Sequence, residues 1–326
     1  MKEQIITKKI LNWYDLNKRL LPWRKKVSFQ KKQYYTLVSE FMLQQTQVVT
    51  VIPYFNKFIK NIPNLKSLAN THDKKLSKLW EGLGYYSRAK NLKKSAKIIL
   101  KSFNGKIPSN FDDLVSLPGI GNYTANAILA IAFNKPFIPL DGNIERILKR
   151  YLYLKKNNEI KKDYLIKRKY IFGISSRSSD YAQALMELGA LICKPKNPLC
   201  NECPVSFNCK SYEKKDFNLT KFSKKNKEKY FILQVYKKDQ KYLLIKNTKF
   251  SFLKNLTIFP MEELSKPKSF NKNLNFKMSN MNMNIKIIYL KNNQRFKKPY
   301  WIDKTRLNSY MLPSFTKKIV KYLERN

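Results

Sequence analysis

The sequence predicts a mainly α-helical protein followed by a small α/β part. Three observations carry this. From Lys2 to about Cys209 the apolar residues recur at helical spacing, with no clear alternating strands. A polar, lysine-rich stretch without periodicity follows, SYEKKDFNLTKFSKKNKEK, which reads as a linker. Beyond it come short runs rich in β-branched and aromatic residues. A length of 326 residues suits two domains.

In chain order, helices are expected over Ile5–Leu16, Tyr35–Phe58, Arg88–Leu100, Tyr123–Ala132 and Asp180–Ile192. Residues 1–212 form the helical domain, 213–229 the linker and 230–326 the second domain. In that second domain YFILQVY and KYLLIK are strands, and the KKDQ between them signals a hairpin. NIKIIYL is a further strand, and Ser314–Leu323 a closing helix. No internal repeat is visible.

Composition points to the partner. Lys+Arg 66 against Asp+Glu 22 gives a formal charge of +44, a field that favours polyanions, with nucleic acid ahead of a membrane surface. The charge is spread along the chain, so it marks general attraction and no particular site. Lysine greatly outnumbers arginine, which an AT-rich coding bias would also produce. No apolar run approaches the roughly 18–20 residues that span a bilayer, and the N-terminus lacks a signal-peptide core. A soluble, cytoplasmic chain is expected, nucleoid-associated if bacterial.

All four cysteines fall in one short loop, 193–209, spaced C-x6-C-x2-C-x5-C: Cys193, Cys200, Cys203 and Cys209. Four thiolates on a short loop can surround one metal centre at little closure entropy. Zinc fits the ligand type, but zinc loops favour two close pairs, and only Cys200 and Cys203 are that close. A [4Fe-4S] cubane accepts looser spacing. Two disulfides would need a secreted context, which nothing upstream suggests.

LVSLPGIGNYTANAIL (Leu114–Leu129) is a helix-hairpin-helix pattern. Gly119 and Gly121 sit in a tight turn between two helical stretches, where open backbone N–H groups at a helix N-terminus can hold a DNA phosphate without reading sequence. Without a ligand the same residues make an ordinary helix–helix turn. Asp141, 22 residues past Gly119, opens the next helix; there an aspartate is either an N-cap or a carboxylate facing a bound sugar.

These motifs in this order resemble the endonuclease III superfamily of base-excision DNA glycosylases, and within it the adenine-specific mismatch glycosylases (the MutY family). The residues that carry the match are LPWR (Leu21–Arg24), VSEFMLQQTQV (Val38–Val48), LWEGLGYYSRAKNL (Leu79–Leu92), LPGIG, LDGNIERIL (Leu140–Leu148) and YAQALMELGALIC (Tyr181–Cys193). The resemblance covers residues 1 to about 212 and implies a helix-hairpin-helix glycosylase fold with a [4Fe-4S] loop. It also implies a cluster held by Cys193, Cys200, Cys203 and Cys209.

Glu40 lies among Val38, Phe41, Met42 and Leu43, surroundings that desolvate a carboxyl and keep it protonated near neutral pH. By resemblance it is the general acid that protonates adenine at N7, after which the glycosidic bond breaks through an oxocarbenium-like state. Asp141, ionised, then stabilises or briefly captures the sugar cation, with Asn143 hydrogen-bonding it. Tyr123 stands where endonuclease III carries a lysine nucleophile; a phenol cannot form the Schiff base, so a monofunctional glycosylase is implied. The target adenine must be flipped out of the duplex. Gln44 and Tyr85 match intercalating positions, Tyr85 in a loop flanked by Gly82 and Gly84, while Arg24 and Gln183 match positions around the adenine. His72, the only histidine, falls in the loop THDK and has the look of surface.

For residues 230–326 the resemblance implies a Nudix-like domain that recognises 8-oxoguanine opposite the adenine. YFILQVYKKDQKYLLI and LTIFP (Leu256–Pro260) are similar to its first strands and turn. The glutamate-rich Nudix box is absent, which argues against magnesium-dependent pyrophosphatase chemistry. The family's Phe-Ser-His loop aligns with Met278, Ser279 and Asn280, where only the serine is kept, and the glycines expected before LTIFP are missing. Adenine excision is therefore better supported than a strong 8-oxoguanine preference. The expected substrate is double-stranded DNA with an A:8-oxoguanine or A:G mismatch, bound by a monomer. The rival readings are a thymine or uracil mismatch glycosylase and a non-enzymatic iron–sulfur DNA-binding protein.

Overall fold

The computed structural model describes residues 2–154, 170–218, 227–265, 269–278, 281–291, 296, 299–310 and 312–325. The chain divides into two compact units, Met1–Leu79 with Tyr86–Lys221, and Trp80–Tyr85 with Phe222–Asn326.

The first unit is helical. It contains α1 (Lys2–Asn17), α2 (Phe29–Leu43), α3 (Val48–Asn61), α4 (Leu65–Asn70), α5 (Asp73–Trp80, whose last residue groups with the second unit), α6 (Ser87–Ser102), α7 (Phe111–Ser116), α8 (Asn122–Phe133), α9 (Gly142–Leu152), α10 (Ser178–Glu187) and the short α11 (Lys210–Glu213). One core joins Ile6, Ile10 and Tyr14 of α1 to Ile144, Ile147 and Leu148 of α9 and Leu185 of α10. Elsewhere α2 packs on α8 and α3, burying Leu37, Phe41, Phe55, Phe58, Ile128 and Leu129. Burial of such side chains, at roughly 1.5–3 kcal/mol each, drives the assembly of helices that are individually marginal.

Two helix expectations change. Tyr35–Phe58 is two helices, broken over residues 44–47, with Gln45 at φ 55°. The break has a partner: the buried Arg88 of α6 donates from Nη1 to the carbonyls of Phe41 (3.1 Å), Met42 (2.7 Å) and Gln44 (2.5 Å), and from Nη2 to Thr46 Oγ1 (3.1 Å). A guanidinium thus satisfies the open carbonyls at the end of α2. Asp180–Ile192 is also not uniform, since α10 stops at Glu187 and Leu188–Ile192 winds as a π-turn. There Gly189 presses on α9; a Cβ at this position would lie 2.5 Å from Asn143 Cβ.

In the second unit, β5 (Met261–Leu264), β1 (Lys227–Val235), β7 (Met281–Tyr289) and β6 (Leu274–Met278) form one sheet in that order, with β1 and β7 parallel. A second sheet runs β2 (Lys237–Lys238), β3 (Lys241–Lys246) and β4 (Thr257–Ile258), with β8 (Tyr300–Asp303) also on β3. The expected hairpin therefore forms differently: KKDQ turns β2 onto β3, while β1 belongs to the other sheet. The buried Tyr236 marks the corner, its carbonyl accepting from Leu243 N at 3.0 Å. Crossing between sheets lets Phe231, Leu233, Leu244 and Ile285 share a core with Phe315, Ile319 and Val320 of the closing helix α12 (Ser314–Leu323). Strand β1 begins at Lys227, inside the stretch expected as linker.

Candidate functional site

A pocket of about 520 Å³ in the helical unit is lined by Glu40, Tyr123, Asp141, Asn143, Gln183 and Arg24, among others. Four separate helices and the turn before α2 supply them. Glu40 sits near the end of α2 and is 4% exposed. Its Oε2 has no hydrogen-bond partner, and the Tyr123 hydroxyl of α8 donates to the carboxyl. Burial, then the nearby Asp141, push the Glu40 pKa up to about 7, against smaller pulls from Tyr123 and Arg24.

Asp141 is the N-cap of α9. Its Oδ1 accepts from Ile144 N at 2.7 Å and its Oδ2 from Asn143 Nδ2 at 3.0 Å. Burial raises its pKa, while the bonds from Ile144 and Asn143 and the charge of Arg146 act the other way. The capping reading of this residue is therefore realised, and the same carboxylate lines the pocket. Of the two carboxyls, Asp141 is the one held by N–H donors and by the positive end of a helix, so the proton of the pair belongs to Glu40.

Three residues that the sequence did not single out complete the site. Arg146 donates from Nη2 to Asn143 Oδ1 (2.8 Å) and Gly189 O (2.6 Å), and from Nε to Cys193 O (2.7 Å), tying Asn143 to the start of the cysteine loop. Glu187, fully buried, takes Arg24 Nη1 at 2.7 Å and Arg19 Nε at 2.7 Å. Arg24 thus enters the pocket with its charge shared with a carboxylate. Arg88 fixes the end of α2, one turn past Glu40. Helical spacing from Gln183 to Glu187 was the available signal for Glu187; nothing local marked Arg146 or Arg88 as more than surface cations.

The other expected positions fall as follows. Gln183 is buried, and its Nε2 donates to Ser179 O at 3.0 Å. Gln44 caps α2 and turns its amide onto the hairpin, donating to Gly119 O (3.1 Å) and Thr124 Oγ1 (3.3 Å). Gly119, at φ +83°, admits no side chain, since a Cβ would lie 2.9 Å from both Asn91 Cβ and Phe41 Cε1. Gly121 is the exposed N-cap of α8. Tyr85 is 43% exposed with φ 46°, and directly follows Gly84, which like Gly82 is at positive φ. Ser279 lies outside the described residues. His72 is exposed and its Nδ1 accepts from Lys74 N at 3.2 Å.

Cys193, Cys200, Cys203 and Cys209 are free thiols spread around one apolar pocket with Leu188 and Val205. Among the described residues no three His, Cys, Asp or Glu side chains converge as a single ion requires. With Zn–S near 2.3 Å, tetrahedral thiolates would lie only about 3.8 Å apart. Arg150, buried, donates from Nη1 to Cys193 Sγ (3.4 Å) and Lys194 O (2.6 Å), and so offers positive charge to an anionic centre. No described helix is long and apolar enough to cross a membrane.

Comparison with known proteins gives the family and the fold. Residues 38–169 match the model of the HhH-GPD superfamily of base excision DNA repair proteins. The chain is 43% identical to an adenine DNA glycosylase of Buchnera aphidicola (subsp. Schizaphis graminum) over 265 residues, covering 78% of this chain and 74% of that one. It is 38% identical to the human adenine DNA glycosylase over 216 residues, covering 63% of this chain and 39% of the human one. Among solved structures, a thermostable thymine-DNA glycosylase superposes with TM-score 0.58 at 27% identity, over 65% of this chain and 97% of that one. An endonuclease III–DNA complex shares the fold at TM-score 0.53 and 20% identity, over 66% and 98%. This chain belongs to the adenine DNA glycosylase family within the HhH-GPD superfamily.

Proposed function

We infer that this protein is a DNA N-glycosylase that removes adenine from DNA in base excision repair, acting on adenine opposite 8-oxoguanine or guanine and leaving an abasic site. One observation carries the chemical reading: a buried carboxyl with a raised pKa, Glu40, shares a pocket with a carboxylate fixed at a helix N-terminus, Asp141. Protonated Glu40 gives its proton to N7 of the flipped adenine. The C1′–N9 pair then leaves with the base, Asp141 faces the oxocarbenium-like sugar, and water adds at C1′ with its proton passing to Glu40, giving the abasic site. Asn143, held by Arg146, keeps the Asp141 carboxylate oriented. Arg24 and Gln183 face the edge of the base. Tyr123 donates to Glu40 and offers the sugar no amine, so the reaction stops at hydrolysis.

The cysteine loop supports a [4Fe-4S] cluster held by Cys193, Cys200, Cys203 and Cys209, whose contribution is structural, ordering the loop beside α9. The +44 charge supports DNA as the partner through phosphate contacts, with the Gly119–Gly121 turn as one of them. Residues 230–326 are read as the part that meets the base opposite the adenine.

Single-turnover base release on duplexes carrying A:8-oxoguanine, A:G and T:G tests the reading. Release of adenine from the first two, without strand cleavage before alkali, is expected. Preference for T:G would transfer the activity to the thymine reading, and efficient borohydride trapping during turnover would remove the monofunctional assignment. The purified protein should hold about four irons for a cubane; stoichiometric zinc would exclude the cluster.

A further inference from the structure

A second cavity, of about 710 Å³, backs onto the catalytic pocket. The two share Arg19, Leu21, Trp23, Arg24, Thr36, Ile131 and Gln183 as walls, but Glu40, Tyr123, Asp141 and Asn143 line only the first. They therefore meet where none of the groups that handle the glycosidic bond lies. Exposed Lys18, Lys25, Lys26 and Asn56 line the second cavity, which gives it its own opening to solvent.

We propose that this back cavity is the exit path of the excised base, and hence a binding site for free adenine while the DNA product is still in place. The inference rests on reading the catalytic pocket as an adenine pocket. When the C1′–N9 bond breaks, the sugar stays tied to the strand and remains against Asp141. The abasic nucleotide therefore fills the side by which the base entered. The base lies on the far side of the broken bond, toward the walls that both cavities share.

Charge and anchoring fit this role. The electron pair of the broken bond goes to N9 and the proton from Glu40 sits on N7, so the base departs neutral. The cationic walls, with Lys18, Arg19, Lys25 and Lys26, then neither trap nor repel it strongly, whereas an anionic sugar–phosphate fragment would be held. The shared wall also has a firm and a soft part. Arg24 is pinned by its ion pair to the buried Glu187, and Trp23 by an edge contact with Phe55 at 5.3 Å. Gln183 is held through a single neutral bond to Ser179 O, so it is the side chain that yields at least cost.

The test uses free 2-aminopurine, a fluorescent adenine analogue, with the full chain either alone or saturated with a duplex containing an abasic site. Wild-type protein should bind the base in both states. Val27→Trp and Asn56→Trp fill the back cavity from walls that the catalytic pocket does not share. Each should weaken binding to the DNA-saturated protein by about tenfold or more, while leaving binding to the DNA-free protein and single-turnover release within about threefold. Unchanged binding by both variants in the DNA complex would overturn the exit path. So would wild-type protein that binds the base alone but not with DNA in place. Failure to bind even without DNA would instead remove the adenine-pocket reading on which the proposal stands. Retained DNA-free binding shows that each variant is folded.

Discussion

In the helical unit Glu40, Arg88, Lys149, Arg150 and Glu187 carry ionisable groups into the interior, whereas the buried polar side chains described in the C-terminal unit, Asn247, Asn284 and Thr316, are all neutral. Sequestering a charge from water costs several kcal/mol unless it is paired, and the described core of the C-terminal unit does not incur that cost. The helical unit accepts that cost along one line, from Arg19 and Arg24 through Glu187 to the pocket of Glu40 and Asp141, and on through Asn143 and Arg146 to the cysteine loop. The difference shows where the fold has been shaped for chemistry and where for packing.

The largest test of that contrast is on the reaction. Glu40→Gln and Asp141→Asn each keep volume and remove the proton donor or the charge. Each should slow single-turnover adenine release by about 100- to 10,000-fold with DNA binding intact. A variant within a few-fold of wild type would mean that the buried carboxyls are structural, and the contrast between the units would lose its functional meaning.

Next comes the ion pair. Glu187→Ala leaves Arg19 and Arg24 facing each other beside a buried space, and should cost about 3–5 kcal/mol in denaturant unfolding. A loss below about 1 kcal/mol would place the pair with ordinary surface bridges.

The pH dependence sharpens the same point. The Glu40 pKa is raised in the folded chain from 4.5 to about 7, so the carboxyl favours folding least when ionised. Below pH 4.5 the penalty is absent; it accumulates as pH rises to about 7 and is complete above it. Glu40→Gln should therefore be more stable than wild type by on the order of 3 kcal/mol at pH 8, and close to equal at pH 4. Wild-type base release should fall as pH rises through about 7, as the acid loses its proton. An activity that climbs through that range would identify Glu40 as a base.

The smallest effect belongs to the C-terminal unit. Buried Asn247 donates from Nδ2 to Phe252 O at 2.6 Å and accepts at Oδ1 from Phe250 N at 2.9 Å, closing the loop after β3. Asn247→Ala should cost about 1–3 kcal/mol in stability, with the single-turnover rate unchanged. A slowed release would show that this unit takes part in the chemical step.

Much of this was legible along the chain because its signals are local. The spacing of apolar residues marked the helices α1, α6 and α8, since a helix buries one face at a fixed period, and runs of β-branched and aromatic residues marked β1 and β3. Local chemistry likewise singled out the cysteine loop and the Gly119 turn, whereas Glu40 stood out through the family resemblance, with its apolar neighbours in support. Tertiary structure alone decided the rest. The break between α2 and α3 depends on Arg88, more than forty residues away, reaching three carbonyls. Glu187 becomes a pocket residue only because the turn at Pro22–Arg24 brings arginines against it. The assignment of β1 and β3 to different sheets turns on which neighbours fill one core, not on the residues between them. Periodicity reports which face of an element is buried; a partner distant in sequence is chosen by three-dimensional packing and charge, and no window along the chain contains it.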